Sequence, residues 1–208
     1  MLKRNKAISI VLAFVFCMTF LAPALVAPAT AEASSDYKVE KAPVVKTIDG
    51  SQNLGIVKVT ISDTNLAAYD MVTVSLPSDL DLGSNVTVVN KVNNDGGIQI
   101  LATNNGDCLP VGAFKTDANK QIAIKNNNFD IVMADSILTN GDTSDQFFYI
   151  YFNGIDLNNT TGDITVDFRA PRNSSFSSSN DIVIAKSSSS GSTTTLVKKV
   201  EDVPDKGG

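Results

Sequence analysis

Alternation of apolar and polar residues with a period of two runs through most of this chain and limits the folds it can adopt. Residues 54–62, 71–77 and 163–170 place apolar side chains at every second position, with Thr, Ser, Lys or Asp between them. Residues 146–153 form the most aromatic of these segments. Because successive side chains of a β-strand point to opposite faces, the pattern predicts strands with one buried face.

Short runs of Asn, Asp and Gly separate the alternating segments, at 49–50, 93–97, 104–107, 126–128, 140–142 and 153–154. These residue types tolerate the left-handed backbone conformations that tight turns need. One short helix is expected at 63–69, where Asp63 or Thr64 can cap it. About ten strands at this spacing predict an all-β fold, a single antiparallel β-sandwich with Ig-like or jelly-roll-like connections.

Residues 1–33 have the three parts of a secretory signal peptide. Three basic residues begin the segment, residues 7–21 form an uncharged apolar run, and small residues then recur at alternate positions up to Ala31 and Ala33. We therefore expect cleavage after Ala31 or Ala33. The alternative is an uncleaved membrane anchor, since residues 7–26 are long enough to span a bilayer.

Cleavage would leave one folded domain at residues 34–200, with 201–208 as a C-terminal tail or a truncated linker. Loss of residues 1–33 removes three bases and one acid, so the formal net charge changes from -5 to -7. Cys108 is then the single remaining cysteine and has no partner for an internal disulfide. These features predict a secreted or cell-surface protein that is not inserted in the membrane after cleavage.

The absence of histidine excludes several kinds of active site. Ser-His-Asp and Cys-His nucleophiles and histidine-bearing zinc sites all require it. The acidic net charge argues against nucleic acid as a partner. We therefore expect no enzyme and no cofactor.

Oxygen-rich runs raise the alternative of a calcium site, for which Asp142 and Asp145 are the best ligands in the sequence. None of these runs has the spacing of a known calcium loop, and Asp is common in turns. A thioester between Cys108 and Gln121 is a further alternative, although the usual motif around these residues is absent.

Two surfaces are candidates for binding. Residues 37–48 follow the cleavage site, and as an unpaired strand they would add to the sheet edge of another copy. The alternative is an ordinary first strand paired within its own sheet. Tyr149 and Tyr151 share one parity of the aromatic segment, so they form a candidate ligand face for a sugar if their rings are exposed.

Several short motifs resemble the N-terminal β-rich region of secreted Firmicutes surface proteins labelled as copper amine oxidase N-terminal-like, or stalk, domain proteins. The motifs are the leader ending in Ala-Pro-Ala, Ala42-Pro43-Val44-Val45, Leu54-Gly55-Ile56-Val57, Val74-Ser75-Leu76-Pro77, Gly162-Asp163-Ile164-Thr165-Val166 and Ala170-Pro171 with Ser175-Phe176. In such proteins this region precedes repeats and a stalk module, which this chain lacks. The label does not imply amine oxidation, because that chemistry needs copper held by histidine.

The sequence thus predicts an exported structural module of a cell surface or extracellular matrix. Its partners would be other copies of itself or components of the cell wall, and contacts would form through strand edges or faces. The alternative is a β-sandwich that binds carbohydrate or cell wall.

Overall fold

A computed structural model of the chain describes residues 35–47, 50–62, 66–103, 106–135 and 145–189. All of them belong to one compact unit, Ala33–Gly208. The predicted signal peptide with Ala31 and Ala33, the candidate ligand Asp142 and the tail at 201–208 lie outside the described residues.

The prediction of an all-β fold is confirmed. The described residues form thirteen strands, more than predicted because residues 37–48 contain two strands and because very short strands precede Leu54 and follow Gly154. Their bounds are β1 Ser35–Lys41, β2 Val44–Lys46, β3 Ser51–Gln52, β4 Ile56–Ile61, β5 Met71–Ser75, β6 Asn85–Val89, β7 Ile98–Leu101, β8 Gln121–Ala123, β9 Asn128–Val132, β10 Gln146–Phe152, β11 Ile155–Asp156, β12 Gly162–Arg169 and β13 Ser179–Ser188.

Helical structure is slight in the described part of the chain. Val111–Ala113 form one turn of 3-10 helix. Residues 66–69, the described part of the predicted helix at 63–69, lie in a turn instead, and Tyr69 has a left-handed φ of 65° that an α-helix does not accommodate. Within the described residues, no helix is both long enough and apolar enough to cross a membrane.

The prediction of a single antiparallel sandwich is wrong, because both large sheets are mixed. A six-stranded sheet has the order β1-β4-β10-β7-β6-β8, and a five-stranded sheet has the order β2-β13-β12-β5-β9. The pairs β6–β7 and β2–β13 are parallel, and the other neighbours within these sheets are antiparallel. The connections account for the two parallel pairs. After β6 the chain runs back along that strand before it enters β7, so the two strands have the same direction. Between β1 and β2 the chain passes from one large sheet to the other, where β2 pairs with β13.

The chain passes from one large sheet to the other on both lateral sides. On one side Ala42 and Pro43 lead from β1 into β2, and the Pro43 carbonyl accepts a hydrogen bond from the Lys186 N–H at 2.9 Å. Ala42 and Pro43 thus separate β1 from β2. On the other side residues 124–127 lead from β8 into β9. These two crossings join the edges of the sheets.

One hydrophobic core lies between the inner faces of the two large sheets, as the alternation predicts. The six-stranded sheet contributes Val57, Val59 and Ile61 from β4 and Phe148, Ile150 and Phe152 from β10, whereas the five-stranded sheet contributes Val72, Val74, Ile164, Val166 and Phe168. All eleven side chains are fully buried. Phe148 also makes an edge-to-face contact with Phe114, with ring centroids 5.1 Å apart.

Gly55 marks a place where the two sheets approach each other too closely for a side chain. A Cβ atom at this position would overlap the carbonyl oxygen of Ile184 in β13 and lie within 2.5 Å of the carbonyl oxygen of Lys41. Both contacts are with backbone atoms, which cannot rotate away. Gly112, by contrast, has open space around the same position.

We expect Gly55→Ala to lower the free energy of unfolding by about 1–3 kcal/mol, because the strands around Gly55 must separate to admit the methyl group. Gly112→Ala is the matched control and should cause no loss, since its methyl group contacts nothing. Urea unfolding of the two variants and the wild type measures the difference. Equal stability of the two variants would contradict the close approach.

Candidate functional site

The outer face of the six-stranded sheet carries a second, smaller apolar cluster. Tyr149 lies between Lys58 and Leu101 in the sheet, and Tyr151 lies between Ile56 and Gln99. Ile56, Leu101, Tyr149 and Tyr151 pack together, and we call them the outer aromatic cluster. The aromatic strand β10 thus contributes side chains to both faces of its sheet, because Phe148, Ile150 and Phe152 point inward.

The two candidate tyrosines share this face, but their rings are covered. Tyr149 is 9% exposed and Tyr151 is 5% exposed. Val92, from the connection between β6 and β7, packs against the cluster, and Phe147 packs beside it under the Lys58 ammonium at 4.2 Å. Rings covered to this degree leave no flat surface on which a sugar can stack.

The connection that covers them is an eight-residue loop, Asn90 to Gly97, which we call the return loop. Because β6 and β7 are parallel neighbours, the loop must run back along β6 over the outer face. The side-chain amide of Gln99 holds it: Oε1 accepts from the Asn93 N–H at 2.8 Å, and Nε2 donates to the Asn93 carbonyl. Gln99 is 1% exposed, and its buried amide satisfies the backbone N–H and C=O of Asn93 as a neighbouring strand would.

Burial of the outer face changes the acidity of the groups in it. It raises the pKa of Tyr151 to about 12, and the neighbouring Tyr149 adds to the rise. Burial also raises the pKa of Tyr149, with a smaller contribution from Glu40. Burial likewise raises the pKa of the Cys108 thiol, which makes it a weaker nucleophile at neutral pH.

On its other flank the return loop forms one wall of a polar cleft of about 550 Å³. Its lining belongs to the return loop, to the segments before β4 and β6, to β6 and β8 and to the turn after β10. The residues are Ser51, Asn53, Leu82, Gly83, Ser84, Asn85, Thr87, Asn94, Asp95, Gly96, Gly97, Gln121 and Gly154. A second cavity, of about 570 Å³, is lined by Asn90, Ala102, Thr103, Pro110, Val111, Gly112 and Lys120.

Of the two aspartates predicted to bind calcium, the structure describes one. Asp145 lies at the surface next to β10, and its proposed partner Asp142 is outside the described residues. No group of three or more His, Cys, Asp or Glu residues in the described ranges is arranged to hold a metal ion. The carboxylates of Asp81, Asp117 and Asp156 instead accept hydrogen bonds from backbone N–H groups two residues ahead, as the turn interpretation expects.

The two residues of the thioester alternative are far apart. Cys108 forms a bridge with Phe147 of β10, whereas Gln121 lies in β8, three positions away in the sheet order. Neighbouring strands are about 4.8 Å apart, so the side chains cannot meet. The geometry gives no support to this cross-link.

The first strand is paired within its own sheet. β1 lies at the edge of the six-stranded sheet, antiparallel to β4, with a register shift between Val39 and Lys41. Tyr37 fixes it from inside: its ring stacks on Phe168 with centroids 4.0 Å apart, and its hydroxyl donates to the Ser177 carbonyl at 2.6 Å. Burial raises the Tyr37 pKa to about 12. The structure thus has the ordinary first strand, the alternative to a donated one.

Two residues of interest were not predicted. Gln99 is a polar residue in the apolar run of β7, and its parity signals the outer face but not its hold on the return loop. Tyr69 is 59% exposed, has a left-handed φ and lies 5.6 Å below the Lys115 ammonium. The prediction placed it in a short helix, where a left-handed φ would not arise.

Comparisons with known proteins give no family for this chain. A scan against models of protein families finds no match. A search of curated proteins finds no match either.

We expect Gln99→Leu to free the return loop and to lower the Tyr151 pKa from about 12 toward its ordinary value near 10. Leucine has a similar size but cannot bond to the Asn93 backbone, so Val92 no longer covers the tyrosines. Tyrosine ring carbon NMR signals followed against pH resolve each residue. Gln121→Leu, the same change on the edge strand β8, should leave the Tyr151 titration unchanged, and an equal shift in both variants would refute the anchor.

The raised Tyr37 pKa predicts a loss of stability in alkali. The unfolded chain gives up this proton near pH 10, whereas the folded protein keeps it to about pH 12. This contribution is therefore complete below pH 10 and falls as the pH rises from 10 to 12. Tyr37→Phe should lose about 1 kcal/mol at pH 7 with its hydrogen bond, yet show a shallower decline above pH 10. Parallel declines in urea unfolding would contradict the assignment.

Proposed function

We propose that this chain is an exported, non-catalytic structural module of a cell surface or extracellular matrix. The observation that carries the proposal is one buried core with chain crossings on both lateral sides. Such a unit has a continuous core that joins both large sheets, which suits a building block outside the cell. Its partners would be other copies of itself or components of the cell wall.

Two sequence features support the same proposal. The first is the predicted signal peptide, with its basic start, apolar run and small residues up to Ala33. The second is the resemblance to the N-terminal β-rich region of secreted Firmicutes surface proteins. Copper chemistry is not part of the proposal, since the chain has no histidine.

Contacts between copies through a donated first strand are not part of the proposal. β1 already pairs with β4, and Asp36, Lys38, Glu40 and Lys41 give its edge alternating charges. Charged residues and an irregular register are the features by which edge strands avoid pairing with other chains. Such a module would instead contact its partners through its sheet faces or its loop ends.

Carbohydrate binding at Tyr149 and Tyr151 receives no support from their geometry. A stacking site needs exposed rings, and both of these are buried. If the protein binds a sugar, another surface must supply the contacts.

Export can be tested in a Gram-positive host that expresses the full chain. We expect the protein in the medium or the cell-wall fraction, with a new N-terminus at Glu32 or Ser34 by mass spectrometry. A double variant, Ala31→Leu with Ala33→Leu, should keep the leader, because signal peptidase needs small residues at these positions. Ala13→Leu, the same change in the apolar run, should be processed normally. Intact protein with Met1 in the cytosol would overturn the proposal.

A further inference from the structure

We propose that the polar cleft beside the return loop is a binding site for a neutral saccharide. The cleft lies at one end of the outer face of the six-stranded sheet. Its floor includes Thr87 of β6 and Gln121 of β8, which are direct neighbours in the sheet. The return loop rises on one side through Asn94, Asp95 and the two glycines that follow. Its volume of about 550 Å³ lies within the range of small-molecule sites.

The chemistry of the lining selects the class of ligand. Among the described residues that line the cleft, most side chains are amides and hydroxyls, Asp95 is the one charged group and none is Lys or Arg. An amide both donates and accepts hydrogen bonds, and so does each hydroxyl group of a sugar. Without a cation the cleft offers nothing to balance a phosphate or sulfate, and with one buried leucine it offers little to an apolar ligand.

Glycine opens the walls of the cleft. Gly83, Gly96, Gly97 and Gly154 all line it, so backbone groups stand where side chains would otherwise project. At Gly154, a Cβ atom would lie 3.2 Å from the Cα of Gly97, and the N–H of Gly154 donates to the Asn53 side chain at 3.0 Å. Two segments distant in sequence are thereby held together as one wall, with no side chain between them.

Hydrogen bonds from Gln99 fix the return loop, and with it one wall of the cleft, in the absence of a ligand. Gln99 bonds to both backbone groups of Asn93, directly before the lining residues Asn94 and Asp95. Fixing a loop in advance removes part of the entropic cost of binding. The second cavity has a different chemistry, since Pro110, Val111 and Ala102 add apolar groups to its lining and Lys120 gives it a positive charge.

The test is a titration of the 15N-labelled full chain, observed by NMR. The probes are the neutral trisaccharides cellotriose, maltotriose, xylotriose and tri-N-acetylglucosamine, with trigalacturonate as an anionic comparison. We expect at least one neutral sugar to bind with a Kd on the order of 0.1–1 mM and to shift the amide signals of Gly96, Gly97 and Gly154. The signals of Gly112 and Gly162, outside the cleft, should stay in place.

Variants then place the sugar in the cleft. Thr87→Ala and Gln121→Ala should each weaken binding about tenfold, because each removes a hydrogen-bonding group from the floor. Thr165→Ala is the matched control: it makes the same change as Thr87→Ala, but in a strand of the other large sheet, and should bind as the wild type does. The inference is overturned if no neutral sugar shifts the cleft glycines below 10 mM, if trigalacturonate binds equally well, or if Thr165→Ala weakens binding as much as Thr87→Ala.

This inference does not depend on export. A protein that reaches the cell surface but binds none of the sugars would overturn the cleft assignment alone. A protein that binds a sugar in the cleft but keeps Met1 in the cytosol would overturn the proposed role alone.

Discussion

Burial of one face of each large sheet determines where the other side chains of this protein lie. Phe148 and Phe152 from the six-stranded sheet meet Phe168 from the five-stranded sheet in a core that excludes water. Each fully buried side chain of this size contributes roughly 1.5–3 kcal/mol, so the face that points inward cannot change without a large loss. With the inner face fixed, the period of two assigns every remaining residue of these strands to the outside. The outer faces are therefore consequences of the core.

The two outer faces differ because of one connection. On the five-stranded sheet, β12 presents Asp163, Thr165 and Asp167 outward, as a solvated face does. On the six-stranded sheet, two tyrosines take the equivalent positions and need a cover. The return loop supplies it, and the amide of Gln99 holds the loop by pairing with Asn93. A buried amide is stable only when its donors and acceptors are satisfied, so the loop and the glutamine depend on each other.

Much of this architecture can be predicted from the sequence. Alternation identified β4, β5, β10 and β12 closely, and it correctly separated Phe148 and Ile150 from Tyr149 and Tyr151. The direction of β7 could not be predicted in this way. Asn93-Asn94-Asp95-Gly96-Gly97 is typical of a reversing turn, and local preference contains no signal that a side chain six residues from Asn93 will hold the chain parallel to β6. The exposure of Tyr149 and Tyr151 depends on the same long-range contact.

The mixed sheets also determine where a ligand can reach the molecule. Chain crossings lie on both lateral sides, and β1 carries alternating charges at its edge. The loop ends have no such protection, and at one of them the parallel return of the chain leaves a gap between the loop and β8. A hairpin between β6 and β7 would need a short turn and would leave no loop beside Thr87 and Gln121. The departure from an antiparallel sandwich is therefore what creates the polar cleft, and Gln99 holds the loop that forms one of its walls.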